Sequence, residues 1–192
     1  MITVPVAVIL AGGMSRRMGR DKLSIEINGQ TMLESIIGRF SEVFESVYLS
    51  VADETKYPGI KARRIKDVLP GAGPASGLHA ALTYIPSGGV FIVAADLPYA
   101  CPKTAMEIVR LAGDSDACLI RLPNGMVEPL FGYYNKSILP RCIDAIKAGD
   151  NKIARIVDGA NTRYVEPGEL GEAWDEKLLM NINSPKDLKL LL

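Results

Sequence analysis

No apolar run in the 192 residues is long enough to cross a membrane, and the N-terminus lacks a charged region followed by a cleavable hydrophobic stretch. The three cysteines, Cys101, Cys118 and Cys142, are widely spaced and form no CxxC pair. A disulfide framework or a zinc site is therefore poorly supported, and reduced thiols in a cytoplasmic protein are expected. There is one histidine, His79, inside a stretch that reads as helix, where a structural or solvated role competes with general-base chemistry. Nor is there an excess of one charge: Lys plus Arg and Asp plus Glu number 22 each, so overall charge points neither to nucleic acid nor to a membrane surface. Repeats, low-complexity tracts and long linkers are also absent.

What remains is a chain with 48% hydrophobic and 23% charged residues, the balance of an ordinary globular protein. Its length suits one domain over residues 1–192. Strand-like and helix-like segments alternate along it. Val4 to Leu10, Ser46 to Val51, Ala62 to Val68, Gly89 to Ala95, Ala117 to Leu122 and Val127 to Tyr134 read as strands, as does the closing LLMNI at 178–182. Helices are expected from Thr31, where Glu34 completes a capping box, over Pro74 to Ile85, from Pro102, around Ser137 to Lys147 and Lys152 to Val157, and after Ser184-Pro185. Asn28-Gly29 and Asn124-Gly125 mark turns. This alternation implies an α/β fold, a mostly parallel twisted sheet with helices on both faces, which binds ligands at the carboxyl ends of its strands.

The first strand leaves the core through LAGGMSRRMGRDK, residues 10–22. Glycine lets main-chain N–H groups approach a phosphate closely, and Gly12, Gly13 and Gly19 supply that freedom. Arg16, Arg17, Arg20 and Lys22 supply charge for several phosphate oxygens. The loop reads as a polyphosphate cradle, with a solvated basic turn as the plain alternative. It is not a P-loop, because five residues separate Gly13 from Gly19 and Arg20 follows, and no GxGxxG fingerprint is present. Asp96 follows the most β-like run, GVFIVAA, and should share an edge with the glycine loop.

The run LAGGxSxRMGxDK resembles the signature of nucleotidyltransferases that activate small phosphorylated molecules, and within them the molybdenum cofactor guanylyltransferase family. PGAGPASGLHAAL at 70–82 with Asp67 upstream, FIVAADLPY at 91–99, EPLFGYYN at 128–135 and NINSPKDL at 181–188 are similar to later family segments, in family order. The resemblance implies a Rossmann-like nucleotidyltransferase whose N-terminal half binds the nucleotide and whose C-terminal half binds the acceptor. It implies transfer of GMP from GTP to the terminal phosphate of molybdopterin or its molybdenum-loaded form, with Mg²⁺ as cofactor and pyrophosphate as product. Asp96 would be the metal ligand, Lys22 and Arg17 would neutralise phosphate charge, and the base would lie against Leu10, Ala11 and Gly12 near Asp67. Gly73, Gly77, Arg155, Asn181 and Asn183 would face the acceptor side, and a molybdoenzyme or its chaperone would receive the product.

Members that use CTP resemble LAAG at the loop, so LAGG favours GTP, although one methyl group discriminates by only about 1–3 kcal/mol. The chain departs from the family beyond its second strand, where LSVADE has no asparagine. Cytidylyl transfer, nucleotide transfer to another small phosphate, and a non-catalytic cofactor carrier are the competing readings.

Overall fold

Fully apolar runs can be buried on both faces only at the middle of a sheet, and the chain places its runs accordingly. The structure, a computed structural model, describes residues 6–12, 21–27, 29–67, 69, 73–86, 88–182 and 187. The strands are β1 (Val6–Leu10), β2 (Glu26–Ile27), β3 (Gln30–Thr31), β4 (Val47–Val51), β5 (Arg63–Lys66), β6 (Gly89–Ala94), β7 (Ala117–Arg121), β8 (Val127–Asn135) and β9 (Thr162–Val165). The helices are α1 (Met32–Ser41), α2 (Gly73–Tyr84), α3 (Pro102–Ala112), α4 (Leu139–Lys147), α5 (Ile153–Ile156) and α6 (Pro167–Leu170).

Seven strands form one sheet in the order β5-β4-β1-β6-β8-β7-β9, and β2 pairs with β3 in a small hairpin. Within the seven, β8 runs against its neighbours β6 and β7, and the other pairings are parallel. The α/β expectation with a mostly parallel sheet therefore holds. One face buries Ile9, Phe91 and Val93 against Leu33, Ile36 and Phe40 of α1 and Ala105 and Ile108 of α3. The opposite face buries Val8, Leu10 and Ile92 against Leu78 and Leu82 of α2, Cys142 of α4 and Ile153 and Ile156 of α5. The helices thus divide between the two faces, giving three layers.

The Thr31 and Glu34 capping box forms at the start of α1, and Pro102 occupies the first turn of α3. Gly29 and Gly125 take positive φ at their turns, 81° and 82°. Two features depart from the sequence pattern. LLMNI is not a strand: Leu178 and Met180 donate back to the carbonyls of Asp175 and Lys177 in turns, and Ile182 N–H meets the carbonyl of Asp96 at 3.1 Å. Its apolar residues are buried one at a time, Leu178 and Ile182 at 0% exposure, so they mimic a strand's pattern without a ladder. Conversely, β9 and α6 form where the sequence pattern signals neither; TRYV is short and polar, and among the described residues β7 is its one neighbour in the sheet. The final helix expected after Ser184-Pro185 lies almost wholly outside the described residues.

Candidate active site

Parallel pairing of β1 with β6 sets Leu10 beside Ala94, so both chains leave the sheet at its carboxyl edge together. Ala95 N–H donates to the carbonyl of Leu10 at 3.1 Å, carrying the pairing one residue past the strands. Asp96 therefore emerges next to the start of the glycine loop. After the loop the chain turns through a 3-10 turn, Lys22–Ser24, capped by the Asp21 carboxylate on Leu23 N–H at 3.1 Å and anchored by buried Leu23. Lys22 Nζ reaches Asp96 Oδ2 at 2.6 Å and the carbonyl of Ile182 at 2.9 Å. The two side chains are 16% and 25% exposed, so water only partly screens the pair.

Two residues whose sequence spacing signals no role, Arg39 and Glu128, bear on this pair. The Arg39 guanidinium on α1 donates to the carbonyls of Pro98 and Ala100, each at 2.7 Å, and clamps the turn that follows Asp96. Glu128 stands at the start of β8, where the register with β7 jumps from Leu119–Gly132 to Ile120–Glu128 and leaves three residues of β8 unmatched. A bulge of this kind re-aims side chains at a sheet's rim. Tyr134 Oη donates to the carbonyl of Pro129 at 2.6 Å and fixes it. The Glu128 carboxyl accepts Leu130 N–H at 2.8 Å. Burial pushes its pKa above the usual carboxylate range, that hydrogen bond opposes the shift, and the Asp96 charge adds to it. Glu128 is legible as part of EPLFGYYN, but nothing in its spacing signals a role. Arg39 reads in sequence as an ordinary solvated helix residue.

On the other side of β1, Asp67 follows β5 and accepts Ser50 Oγ–H on Oδ1 at 2.7 Å. Burial raises its pKa, and the Ser50 hydrogen bond pulls it back. Its second oxygen takes no hydrogen bond among the described residues. Ser50 also accepts Ala11 N–H through its carbonyl at 3.0 Å, so Leu10, Ala11 and Asp67 form one connected edge. Gly12 is exposed, and among the described residues a Cβ there would meet nothing within 4 Å, so packing against them does not explain the glycine. Gly77 differs: its Cβ would come within 2.8 Å of Leu10 Cδ2 and 3.0 Å of Ser50 Oγ, and its absence lets α2 press on the sheet. Gly73 starts α2 in the left-handed region with φ 53°.

Asn181 is exposed and immediately precedes Ile182, which touches both Asp96 and Lys22. Arg155 is 68% exposed on α5 and pairs with Asp150 at 3.6 Å; among the described residues no contact joins it to Lys22 or Asp96. Gly13, Arg16, Arg17, Gly19, Arg20 and Asn183 lie outside the described residues. His79 sits on α2, where burial lowers its pKa and Nδ1 is enclosed without a hydrogen-bond partner. Among the described residues no group of three or more His, Cys, Asp or Glu side chains could encage a metal. Asp96, whose charge also acts on the buried Glu128 carboxyl, fits an ion that takes one or two carboxylates and fills its remaining positions with phosphate and water, as Mg²⁺ does.

The sequence profile of the MobA-like NTP transferase domain matches residues 7–165, from β1 through β9. The chain belongs to the MobA-like NTP transferase family. It is 32% identical over 182 residues to a protein of Pelotomaculum thermopropionicum named "probable molybdenum cofactor guanylyltransferase", covering 94% of this chain and 88% of that one. A Methanosarcina mazei protein of the same name is also 32% identical, over 95% and 88% of the two chains. Its fold matches the crystal structure of molybdopterin-guanine dinucleotide biosynthesis protein A from Archaeoglobus fulgidus with a TM-score of 0.84 at 27% identity, covering 97% and 96%. In this MobA-like NTP transferase, the matched region contains Lys22, Asp96 and Glu128, whereas Asn181 lies beyond it.

Proposed function

We propose that this protein transfers GMP from GTP to the terminal phosphate of molybdopterin or its molybdenum-loaded form and releases pyrophosphate. The observation that carries this reading is the ion pair of Lys22 with Asp96 at the carboxyl edge, directly beside the glycine-rich exit of β1. The names of the relatives supply the acceptor. A terminal phosphate oxygen of the acceptor attacks the α-phosphorus of GTP, the bond from α-phosphorus to its β-bridging oxygen breaks, and both electrons leave with pyrophosphate. Two anions meet, so catalysis is chiefly alignment and charge neutralisation.

Lys22 carries its ammonium on a short capped turn, and its donors are suited to the charge that builds on the leaving group. Asp96, with Glu128 near it, would hold Mg²⁺. The ion, when bound, supplies positive charge to phosphate oxygens. Arg17 assists at the same phosphates. The open oxygen of Asp67 accepts from guanine N1–H or its exocyclic amine, a donor edge that cytosine lacks, while the backbone of Leu10, Ala11 and Gly12 lines the base. Strands β5, β4, β1 and β6 form the nucleotide half. The acceptor half is built on β8, β7, β9 and the segment through Asn181 and Asn183, with Gly73, Gly77 and Arg155 as further candidates at its margin. A molybdoenzyme or its chaperone takes the product in the cytoplasm.

The test is pyrophosphate release with each of GTP, CTP, ATP and UTP, with and without molybdopterin and with Mg²⁺ present or chelated. Acceptor-dependent release with GTP that stops on chelation is expected. Preference for CTP overturns the guanine reading, and binding without release means a carrier.

A further inference from the structure

Tyr57 is the single non-glycine residue with positive φ among the described residues, at 55°. A bulky side chain is disfavoured in this left-handed region, and such a conformation persists only where surrounding contacts over-determine it. Those contacts are present. The loop between β4 and β5 is gathered on one guanidinium: Arg64 donates to the carbonyl of Glu54 at 3.0 Å, of Lys56 at 2.5 Å and of Tyr57 at 2.6 Å. Ile60 N–H also donates to the Tyr57 carbonyl, at 3.0 Å. The ring of Tyr57 packs on the core that contains Leu23. Its hydroxyl leaves the loop and donates to Asp21 Oδ2 at 2.7 Å, across 36 residues of sequence.

Asp21 is fully engaged. Its Oδ1 caps Leu23 N–H, its Oδ2 accepts from Tyr57, and its carbonyl accepts Ser24 N–H at 3.2 Å. These bonds define the turn from which Lys22 reaches Asp96. Burial, followed by the neighbouring Asp21 carboxylate, raises the phenol's pKa, so the hydroxyl stays protonated and remains a donor.

We propose that Tyr57 is a positioning residue for phosphate transfer: through Asp21 it fixes the turn that presents the Lys22 ammonium beside Asp96. This rests on the reading of Lys22 as the group that neutralises the leaving pyrophosphate. The backbone strain has a use in this arrangement, since it turns the ring away from the loop's own path and toward the Lys22 turn. Relaxing Tyr57 would leave Asp21 with its cap alone and Lys22 with a wider range of positions.

The test is single-turnover GMP transfer to molybdopterin by wild type, Tyr57→Phe, Asp21→Asn, the double variant and Lys22→Ala. The donors are GTP and its β,γ-methylene and β,γ-difluoromethylene analogues, whose leaving groups differ in acidity. Tyr57→Phe keeps ring, backbone and packing. It is expected to lower the rate about tenfold at saturating GTP, the loss of one hydrogen bond to a charged partner, with nucleotide affinity nearly unchanged. The loss should be largest with the poorest leaving group, following the trend of Lys22→Ala; a purely structural role would not change that dependence. Because Tyr57 and Asp21 act as one unit, the double variant should be about as slow as either single one.

Wild-type rates and wild-type leaving-group dependence in Tyr57→Phe, beside an impaired Lys22→Ala, overturn the positioning role alone. Losses that multiply in the double variant also overturn it. An unimpaired Lys22→Ala overturns both this role and the phosphate reading it depends on. Should Tyr57→Phe fail to fold, Asp21→Asn takes its place with the same leaving-group series, and wild-type behaviour there overturns the role equally.

Discussion

The two members of the central ion pair are held by different means. Asp96 is held mostly by main chain: Ala95 is bonded to Leu10, Ile182 N–H to Asp96 itself, and the following turn is clamped by Arg39 from α1. Lys22 projects from a three-residue turn set by one buried leucine and the side chains of Asp21 and Tyr57. The carboxylate's position is thus a consequence of folding the sheet, whereas the ammonium's position can change while the sheet stays intact. On the function proposed above, an ion held at Asp96 would stay in place while the Lys22 donor follows the charge of the leaving group, and this division suits both.

The largest expected effect comes from the rigid side. Asp96→Asn should slow pyrophosphate release on the order of 10²–10³-fold, as does the loss of a preorganised electrostatic group elsewhere, and should weaken Mn²⁺ binding followed by electron paramagnetic resonance. Lys22→Ala should cost about 10²-fold in transfer rate while lowering the melting temperature less than a core substitution does, since the Asp96 side chain it leaves behind is 25% exposed.

Arg39→Met sharpens the contrast. Removing a guanidinium from two carbonyls should cost about 2–3 kcal/mol of stability, and that corresponds to a melting point lower by roughly 5–10 °C. Activity should fall with it, whereas Tyr57→Phe should lower activity with far less change in melting. Equal effects of the two on stability would erase the distinction.

Gly77→Ala is smaller. Overpacking against Leu10 and Ser50 costs about 1–3 kcal/mol and improved helix propensity returns about 1, leaving a net loss of about 1 kcal/mol in denaturant unfolding. Because Ser50 holds Asp67, base selectivity should loosen in the same variant.

The smallest effect is a pH dependence. His79 has a lowered folded pKa through burial. Folding therefore keeps its full stability above the unfolded value of about 6.5 and loses part of it as pH falls from there through the folded value. His79→Gln should flatten that portion of a stability-versus-pH curve.

Much of this layout is legible in sequence, and the legible part is the backbone's. GVFIVAA and VPVAVIL are apolar enough to be central strands, and their parallel pairing brings Asp96 to Leu10. What is not legible depends on side chains meeting across long separations. Nothing in TKYPG tells that its tyrosine turns back to Asp21, and Arg39 has the spacing of a solvated residue because its partners lie 59 and 61 positions away. LLMNI misleads for a related reason: residues buried singly by tertiary contacts imitate the pattern of a ladder. At Gly77 a packing reason for glycine, the close approach of Leu10 and Ser50, is invisible in sequence because both lie far away along the chain.

The most direct test is a crystal structure with Mn²⁺ and a non-hydrolysable GTP analogue, with the ion located by its anomalous signal. The expected result is Mn²⁺ ligated by Asp96, with Lys22 Nζ moved from that carboxylate onto the phosphates and the guanine at Asp67. A nucleotide bound elsewhere, with the Lys22 and Asp96 pair undisturbed and no ion at Asp96, would contradict it.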